Sequence, residues 1–245
     1  MELTSLLPPL VEELHLDYFG VADFTPATVQ DFIRSTAALY TLGYPRAVAV
    51  GLRFSDALVD LLPEADERIL ALYKHHVYTV TAGRMDQITA TIANTLQQAG
   101  HRALAVPSAI VAVHREHFAG ILSQKLAPHL AGLGWIGKSC MLITPDHGPR
   151  VCWGTVLTHA PLAPTGQLMD QRCGRCRACV DVCPAQAFTG RNFDPAEPRE
   201  TRFDPAACFR YVQSLPGAGP EVKTCGRCLQ ACPRGRRNTV RHAAA

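Results

Sequence analysis

The chain has 245 residues and a mass of 26.6 kDa, with 47% apolar and 18% charged residues. This composition excludes global disorder and provides enough apolar side chains for a packed core. The net charge of +3 is unevenly distributed, with a balance of −4 up to Asp170 and +7 from Gln171 onwards. A basic C-terminal part suits an anionic partner such as RNA, or an anionic metal cluster.

The sequence also bears on location. No apolar run approaches the roughly 20 residues that a membrane-spanning helix needs. The first 17 residues include three glutamates and lack a basic start, so they are not typical of a secretory signal. We therefore expect a cytoplasmic protein that does not contact a membrane.

In chain order, the first two thirds of the sequence alternate between helical and strand patterns. Helical spacing predicts helices over residues 6–15, 27–39, 65–99 and 118–131, and the long one has a possible break near Gly83. Apolar runs predict strands over residues 19–24, 46–54, 101–106, 139–144 and 150–159. The alternation indicates an α/β layer domain over residues 1–163. A linker with two prolines and a glycine lies within residues 160–170, and a cysteine-rich domain is predicted over residues 164–245.

A glycine-rich loop at residues 132–139 matches both G-x-G-x-x-G and G-x-x-x-x-G-K-[ST]. Both phosphate-binding patterns need a strand before the loop and a helix after it, because the helix N-terminus binds the phosphate. Here a predicted helix precedes the loop and a strand follows it, so a nucleotide site is disfavoured. We expect a tight turn that shapes a different cofactor pocket, and a purely structural turn is the alternative. The candidate cofactor-binding residues are Gly134, Trp135, Gly137 and Lys138.

Histidines and acids outside the cysteine-rich part give few further candidates. His76 lies in the predicted long helix, whereas Glu116 and His117 adjoin a predicted helix start. No His-Glu-x-x-His pattern is present, so a zinc hydrolase is unsupported. We retain His76 as a candidate cofactor-binding residue and Glu116 and His117 as weak catalytic candidates, although such residues more often make ordinary polar contacts.

Ten cysteines are present, and eight of them lie between Cys173 and Cys232. Without an export signal, reduced thiolates that hold metal are favoured over disulfides. The spacing C-x2-C-x2-C-x3-C-P from Cys173 onwards is typical of bacterial ferredoxins, in which the fourth cysteine binds the other cluster. A second run ends in the same Cys-Pro step, with its first ligand displaced to Cys208. The pattern therefore predicts one 4Fe–4S cluster on Cys173, Cys176, Cys179 and Cys232, and another on Cys208, Cys225, Cys228 and Cys183.

Structural zinc in two four-cysteine sites is the alternative, because zinc also uses Cys-x2-Cys pairs. Zinc does not explain the third cysteine at the same spacing or the two Cys-Pro endings. The two remaining cysteines, Cys140 and Cys152, lie in apolar stretches, and we interpret them as small buried side chains.

The arrangement resembles the epoxyqueuosine reductase family. The resemblance is carried by residues 43–48, by the loop at 131–138, by the first cysteine run at 173–184, and by the displaced Cys208 with the second run at 225–233. It implies a nitroreductase-like α/β domain of the cobalamin-binding type, followed by a ferredoxin-like double-cluster domain. It also implies a bound cobalamin that receives electrons from the clusters, and a modified tRNA nucleoside as substrate.

Two features depart from the family pattern. The family's helical-repeat extension is not matched, because the sequence given ends twelve residues after Pro233, so the resemblance implies a short paralogue. Pro107 stands where the family's proton-donating aspartate is expected, which leaves Glu116 or His117 as weak substitutes.

The functional expectation is an iron–sulfur oxidoreductase that passes electrons from two 4Fe–4S clusters to a corrinoid. Its expected partners are a ferredoxin or flavodoxin-type electron donor and a tRNA or small-molecule substrate. The first alternative is a non-catalytic electron-transfer protein that serves a partner enzyme. A nucleotide-binding protein that uses the loop at 132–139 is the second alternative.

Overall fold

The structure is a computed structural model that describes residues 3–26, 29, 43–107, 112–114, 118–120, 122–215 and 224–236. Its helices are α1 (Leu3–Glu13), α2 (Asp56–Asp60), α3 (Glu67–Lys74), α4 (Ala82–Gln98), α5 (Leu126–Leu130), α6 (Ala178–Asp181), α7 (Pro205–Ser214) and α8 (Arg227–Gln230). Its strands are β1 (Tyr18–Asp23), β2 (Arg46–Arg53), β3 (Ala103–Val106), β4 (Ala112–His114), β5 (Ala119–Gly120), β6 (Trp135–Ile136), β7 (Leu142–Ile143) and β8 (Val151–Thr158).

The α/β part contains a four-stranded sheet with the strand order β1-β2-β8-β3. Strand β1 pairs antiparallel with β2, and β3 pairs antiparallel with β8. Strand β2 is buried over all but its end residues, as expected for an uninterrupted apolar run in the middle of a covered sheet. Two short ribbons, β4–β5 and β6–β7, lie outside this sheet.

Alternate residues of β2 supply two hydrophobic cores, because successive side chains of a strand point to opposite faces. On one face, Val48 and Val50 join a core with Met85 of α4. On the other face, Ala47 joins a core with Leu126 of α5. Helices therefore cover both faces of the sheet, and the α/β prediction is confirmed.

The strands predicted at 19–24, 46–54, 101–106 and 150–159 are confirmed to within two residues, and so is the first helix to within three. The long helical pattern is also confirmed, but it is not broken near Gly83: a π-helical segment, His75–Thr81, joins α3 directly to α4. Apart from residue 29, the helix predicted at 27–39 lies outside the described residues.

Two predicted elements are wrong. In place of a helix over 118–131, the chain forms β5 and then only the five-residue α5, whose first turn contains Pro128. Proline is tolerated in the first turn of a helix, but it interrupts a helix that would continue through it from preceding residues. In place of a strand over 139–144, Cys140 adopts a φ of +54° in the turn between β6 and β7. The turn limits the strand to Leu142–Ile143.

The chain divides into two compact units, each built from separate segments. The sheet unit comprises Met1–Leu52, Thr81–Leu133 and Cys152–Met169. The cysteine unit comprises Arg53–Val80, Gly134–Val151 and Asp170–Ala245. The contiguous division at residues 163 and 164 stays a prediction. In the part of the chain that the structure describes, no helix is both long and apolar enough to span a membrane.

Candidate iron–sulfur centre

Two Cys-Gly-Arg-Cys turns and three short helices position the clustered cysteines. In the first turn, the Cys176 amide donates a hydrogen bond to the Cys173 carbonyl at 3.0 Å. Both turn glycines, Gly174 and Gly226, have positive φ angles of 52° and 63°, a conformation that costs glycine little. Of the other ligand candidates, Cys179 lies in α6, Cys208 in α7 and Cys228 in α8, and Cys183 and Cys232 each follow a helix.

The eight thiols fall into two groups of four according to their electrostatic neighbours. Burial first, and then the thiols of Cys232, Cys173 and Cys176, raise the pKa of Cys179 to about 12. Burial, and to a lesser extent the neighbouring thiols of Cys225 and Cys183, raise the pKa of Cys208 to about 11. We call the set Cys173, Cys176, Cys179 and Cys232 the first thiol group, and the set Cys183, Cys208, Cys225 and Cys228 the second thiol group.

The two groups also neighbour one another. Burial raises the pKa of Cys228 well above its usual value, with contributions from its own group and from Cys179 of the first. None of the ten cysteines, all of which lie in the described residues, forms a disulfide. A set of buried neighbouring thiols can ionise only if a cation compensates their charge, so the donor chemistry fits thiolate-bound metal.

Backbone N–H groups already point at several of these sulfurs. The Ala187 amide donates to the Cys183 sulfur at 3.4 Å. The Gly235 amide donates to the Cys232 carbonyl at 3.0 Å, and the backbone N–H groups of Arg234 and Gly235 lower the pKa of the Cys232 thiol against the dominant effect of burial. Hydrogen bonds to cluster sulfurs are one of the means by which proteins tune iron–sulfur centres.

The zinc alternative concerns the same thiols. Among the described residues, no three histidine, cysteine or acidic side chains are grouped to hold a single metal ion. Zinc–sulfur bonds of about 2.3 Å would draw four sulfurs tightly together. A 4Fe–4S cluster, in contrast, takes one cysteine thiolate for each of its four irons.

The glycine-rich loop contacts the first thiol group. Trp135 is 1% exposed, and its indole N–H donates to the Cys173 sulfur at 3.4 Å. A Cβ on Gly137 would lie 2.6 Å from Ile143 Cγ1 and 3.5 Å from that sulfur, so only glycine fits. Gly134 is equally confined, because a Cβ there would lie 2.4 Å from the Ile143 carbonyl oxygen.

Lys138 completes this contact. Its side chain is 8% exposed, and its ammonium group donates to the Gly174 carbonyl at 2.8 Å and to the Cys176 carbonyl at 3.2 Å. The ammonium group of Lys138 is thus hydrogen-bonded to the backbone of the first cysteine turn. Strand β6 follows the first glycines of the loop, where a phosphate-binding loop would place a helix.

The other predicted site residues lie elsewhere. The His76 ring accepts a hydrogen bond from the Ser55 amide at 3.2 Å, and burial lowers its pKa, so the ring holds the backbone before α2 as a neutral acceptor. Glu116 and His117 lie outside the described residues. Pro107 is exposed, and its carbonyl accepts a hydrogen bond from the Gln124 amide at 2.7 Å.

The two cysteines outside the thiol groups have distinct settings. The Cys140 side chain is buried and accepts a hydrogen bond from the Arg202 guanidinium at 3.6 Å. Cys152 packs against the core that contains Val48, Val50 and Met85, and burial raises the pKa of its thiol to about 12. Cys140 agrees with the interpretation as a small buried side chain, whereas Cys152 is only partly buried.

Two buried residues of the cysteine unit, Tyr73 and Arg150, were not indicated by the sequence. Tyr73 is buried, and a Cβ on Gly226 would lie 2.8 Å from its hydroxyl oxygen. Arg150 is 1% exposed and forms ion pairs with Asp56 at 2.9 Å and Asp60 at 2.6 Å. No local pattern marks either residue, because their partners are distant in sequence.

Comparison with known proteins agrees with this geometry. Residues 172–236 match the family model of the 4Fe-4S dicluster domain. The prediction of two 4Fe–4S clusters is therefore confirmed, and the C-terminal part of the cysteine unit is this domain.

Curated relatives extend the similarity beyond that domain. An epoxyqueuosine reductase of Bacillus anthracis is 30% identical over 126 residues, which cover 48% of this chain and 30% of that protein. Another, from Alicycliphilus denitrificans, is 26% identical over 247 aligned positions, covering 94% of this chain and 62% of that protein. The chain therefore spans less than two thirds of the length of either relative.

Solved structures show the same fold over nearly the whole chain. A crystal structure of epoxyqueuosine reductase with a tRNA-Tyr epoxyqueuosine-modified stem loop has a TM-score of 0.60 and 18% identity, covering 96% of this chain and 66% of that one. A reductive dehalogenase, whose structure suggests a mechanism for B12-dependent dehalogenation, has a TM-score of 0.68 and 20% identity, covering 95% and 31%. The expected resemblance is thereby confirmed: this protein joins an α/β fold to a 4Fe–4S dicluster domain and is similar to epoxyqueuosine reductases in both sequence and fold.

Proposed function

We propose that this protein is a reductase in which the first and second thiol groups each hold one 4Fe–4S cluster and relay single electrons. The observation that carries this proposal is the division of eight thiols into two groups of four, in agreement with the crossed pattern of the two cysteine runs. When bound, such clusters supply one-electron transfer at potentials that the surrounding protein sets.

The residues of the chain would perform three tasks for this chemistry. The thiols, once deprotonated, hold the iron, and backbone amides at Cys183 and Cys232 stabilise negative charge on sulfur. Lys138 fixes the first cysteine turn through two carbonyls. Because Cys179 neighbours Cys228, the two groups are close enough for their thiols to interact, which suits electron exchange between them.

We further propose that the α/β part accepts a corrinoid and that the substrate is related to a modified tRNA nucleoside. Support comes from the epoxyqueuosine reductase with a tRNA stem loop and from the B12-dependent reductive dehalogenase, which share the fold. The excess of positive charge after Gln171 would favour an RNA partner. The electron donor that we propose is a small ferredoxin or flavodoxin-type protein.

The first experiment is anaerobic purification followed by iron and sulfide analysis and electron paramagnetic resonance (EPR) of the reduced protein. We expect about eight irons and eight sulfides per chain, as two 4Fe–4S clusters require. Cys208→Ser should lower the iron content, while Cys152→Ser, which changes a partly buried cysteine outside both groups, should leave it unchanged. Zinc without sulfide, or full iron in Cys208→Ser, would contradict the ligand assignment.

The second experiment titrates cobalamin into the cluster-loaded protein and follows the visible spectrum. A spectral change that saturates supports a corrinoid site. If both clusters are loaded and no cobalamin binds, the corrinoid proposal is wrong, and an electron-transfer protein that serves a partner enzyme becomes the better description.

A further inference from the structure

The side chain of Trp135 adjoins the first thiol group in a way that the ligand pattern does not explain. Its indole is 1% exposed, and its only polar atom, the N–H, donates to the Cys173 sulfur at 3.4 Å. A buried donor without a partner is costly, so this sulfur also satisfies the indole. The sulfur of Cys173, a proposed cluster ligand, is therefore also the hydrogen-bond acceptor of the Trp135 indole.

Two arginines flank the same ring. The guanidinium of Arg172 lies 5.9 Å from the ring centroid, and that of Arg234 lies 5.6 Å from it. Both distances fall within the range of cation–π attraction. Arg172 directly precedes Cys173, and Arg234 follows Cys232 by two residues. The ring therefore joins the two distant chain segments that supply ligands to the first thiol group.

We propose that Trp135 raises the reduction potential of the cluster held by the first thiol group, an inference that rests on the proposed function. Reduction adds an electron, and part of the added negative charge resides on the ligand sulfurs. An N–H donor stabilises the charged sulfur more in the reduced state than in the oxidised state, so it shifts the equilibrium towards reduction. The two nearby guanidinium groups act in the same direction, because positive charge also favours the reduced cluster.

The second thiol group has contacts that do not involve Trp135. Cys183 accepts a hydrogen bond from the Ala187 backbone amide at 3.4 Å, which substitution of Trp135 does not remove. Trp135 therefore acts as a positioning and tuning residue for one cluster, and its loss should alter the potential of the first cluster relative to the second.

The test compares Trp135→Phe with Trp153→Phe in cluster-loaded protein, by redox titration monitored with EPR. Trp153 is a matched control, because it is also buried and lies in the sheet unit, where its ring is tilted against that of Tyr18 with centroids 5.4 Å apart. In Trp135→Phe we expect the reduction equilibrium of one cluster to weaken about tenfold, about 59 mV for a one-electron couple, with the other unchanged. Trp153→Phe should move neither potential. Unchanged potentials in Trp135→Phe would overturn the inference.

A second measurement does not depend on the folding of a variant. The chain contains two tryptophans, so protein labelled with ¹⁵N-tryptophan reports on few sites. Pulsed EPR of the reduced, unsubstituted protein should detect ¹⁵N coupled to a cluster, and the coupling should persist in Trp153→Phe. Absence of coupling in protein with full iron and sulfide would refute the role of Trp135. Absence of the clusters themselves would refute the proposed function.

Discussion

The ammonium group of Lys138 illustrates at the residue scale how a familiar motif can serve a different chemistry. In a phosphate-binding loop this lysine would face a nucleotide, but here it donates to the carbonyls of Gly174 and Cys176. A buried charge with two backbone acceptors holds the first cysteine turn in place. Two glycines of this motif, Gly134 and Gly137, are instead required by the Ile143 backbone and side chain.

Lys138→Met should therefore destabilise the cluster-loaded protein, because it removes two charge-assisted hydrogen bonds and retains most of the stem. We expect the free energy of unfolding to fall by about 2 kcal/mol, and the first cluster to be lost faster to a chelator. Anaerobic denaturant titration and iron release would measure both effects. Lys74→Met, in the last turn of α3, is the control. ATP binding that is present in the unsubstituted protein and lost in Lys138→Met would instead favour the nucleotide hypothesis.

At the scale of elements, the two Cys-Gly-Arg-Cys turns are alike in sequence but not in surroundings. A Cβ on Gly174 meets nothing within 4 Å, whereas a Cβ on Gly226 would lie 2.7 Å from Leu62 Cδ1 and 2.8 Å from the Tyr73 hydroxyl. Both glycines have positive φ angles. The second turn thus packs against the segment that contains α3, and the first turn is open on this side.

This difference predicts unequal effects of alanine. Gly174→Ala should cost roughly 1 kcal/mol of unfolding free energy, the strain of a positive φ alone. Gly226→Ala adds overpacking against Leu62 and Tyr73 and should cost about 2 to 4 kcal/mol in total, with loss of iron from the second thiol group. Thermal unfolding and iron analysis of the two variants side by side would check this. Equal losses would show that the packing around Tyr73 does not constrain the turn.

The same elements show what the sequence could predict. Cysteine spacing predicted the two cluster turns, because ligand geometry is a local property of a short loop. The central strand β2 was predicted because a short, uninterrupted apolar run is also a local property of the sequence. The sequence did not indicate the π-helical segment His75–Thr81, the short α5, or the burial of Tyr73 and Arg150. These features depend on partners far along the chain, such as Asp56 and Asp60 for Arg150.

At the scale of the whole molecule, the cysteine unit draws on segments that precede the cluster domain in sequence. Residues 53–80 and 134–151 cluster with residues 170–245, not with the sheet. Gly226 packs against Leu62 and Tyr73, and Trp135 and Lys138 bind the first cysteine turn. The sheet unit, in contrast, has hydrophobic cores on both faces of β2 and needs no metal for its packing.

Because metal binding contributes folding free energy to such a domain, removal of the clusters should unfold the cysteine unit locally. Hydrogen exchange followed by mass spectrometry would compare the cluster-loaded and chelator-treated protein. We expect peptides from 56–74, 135–150 and 173–232 to lose protection together, while α4 and β8 retain theirs. A contiguous boundary at residues 163 and 164 predicts instead that 56–74 and 135–150 stay protected. That result would make the metal centre a self-contained C-terminal domain and would remove the α3 segment and the glycine-rich loop from its support.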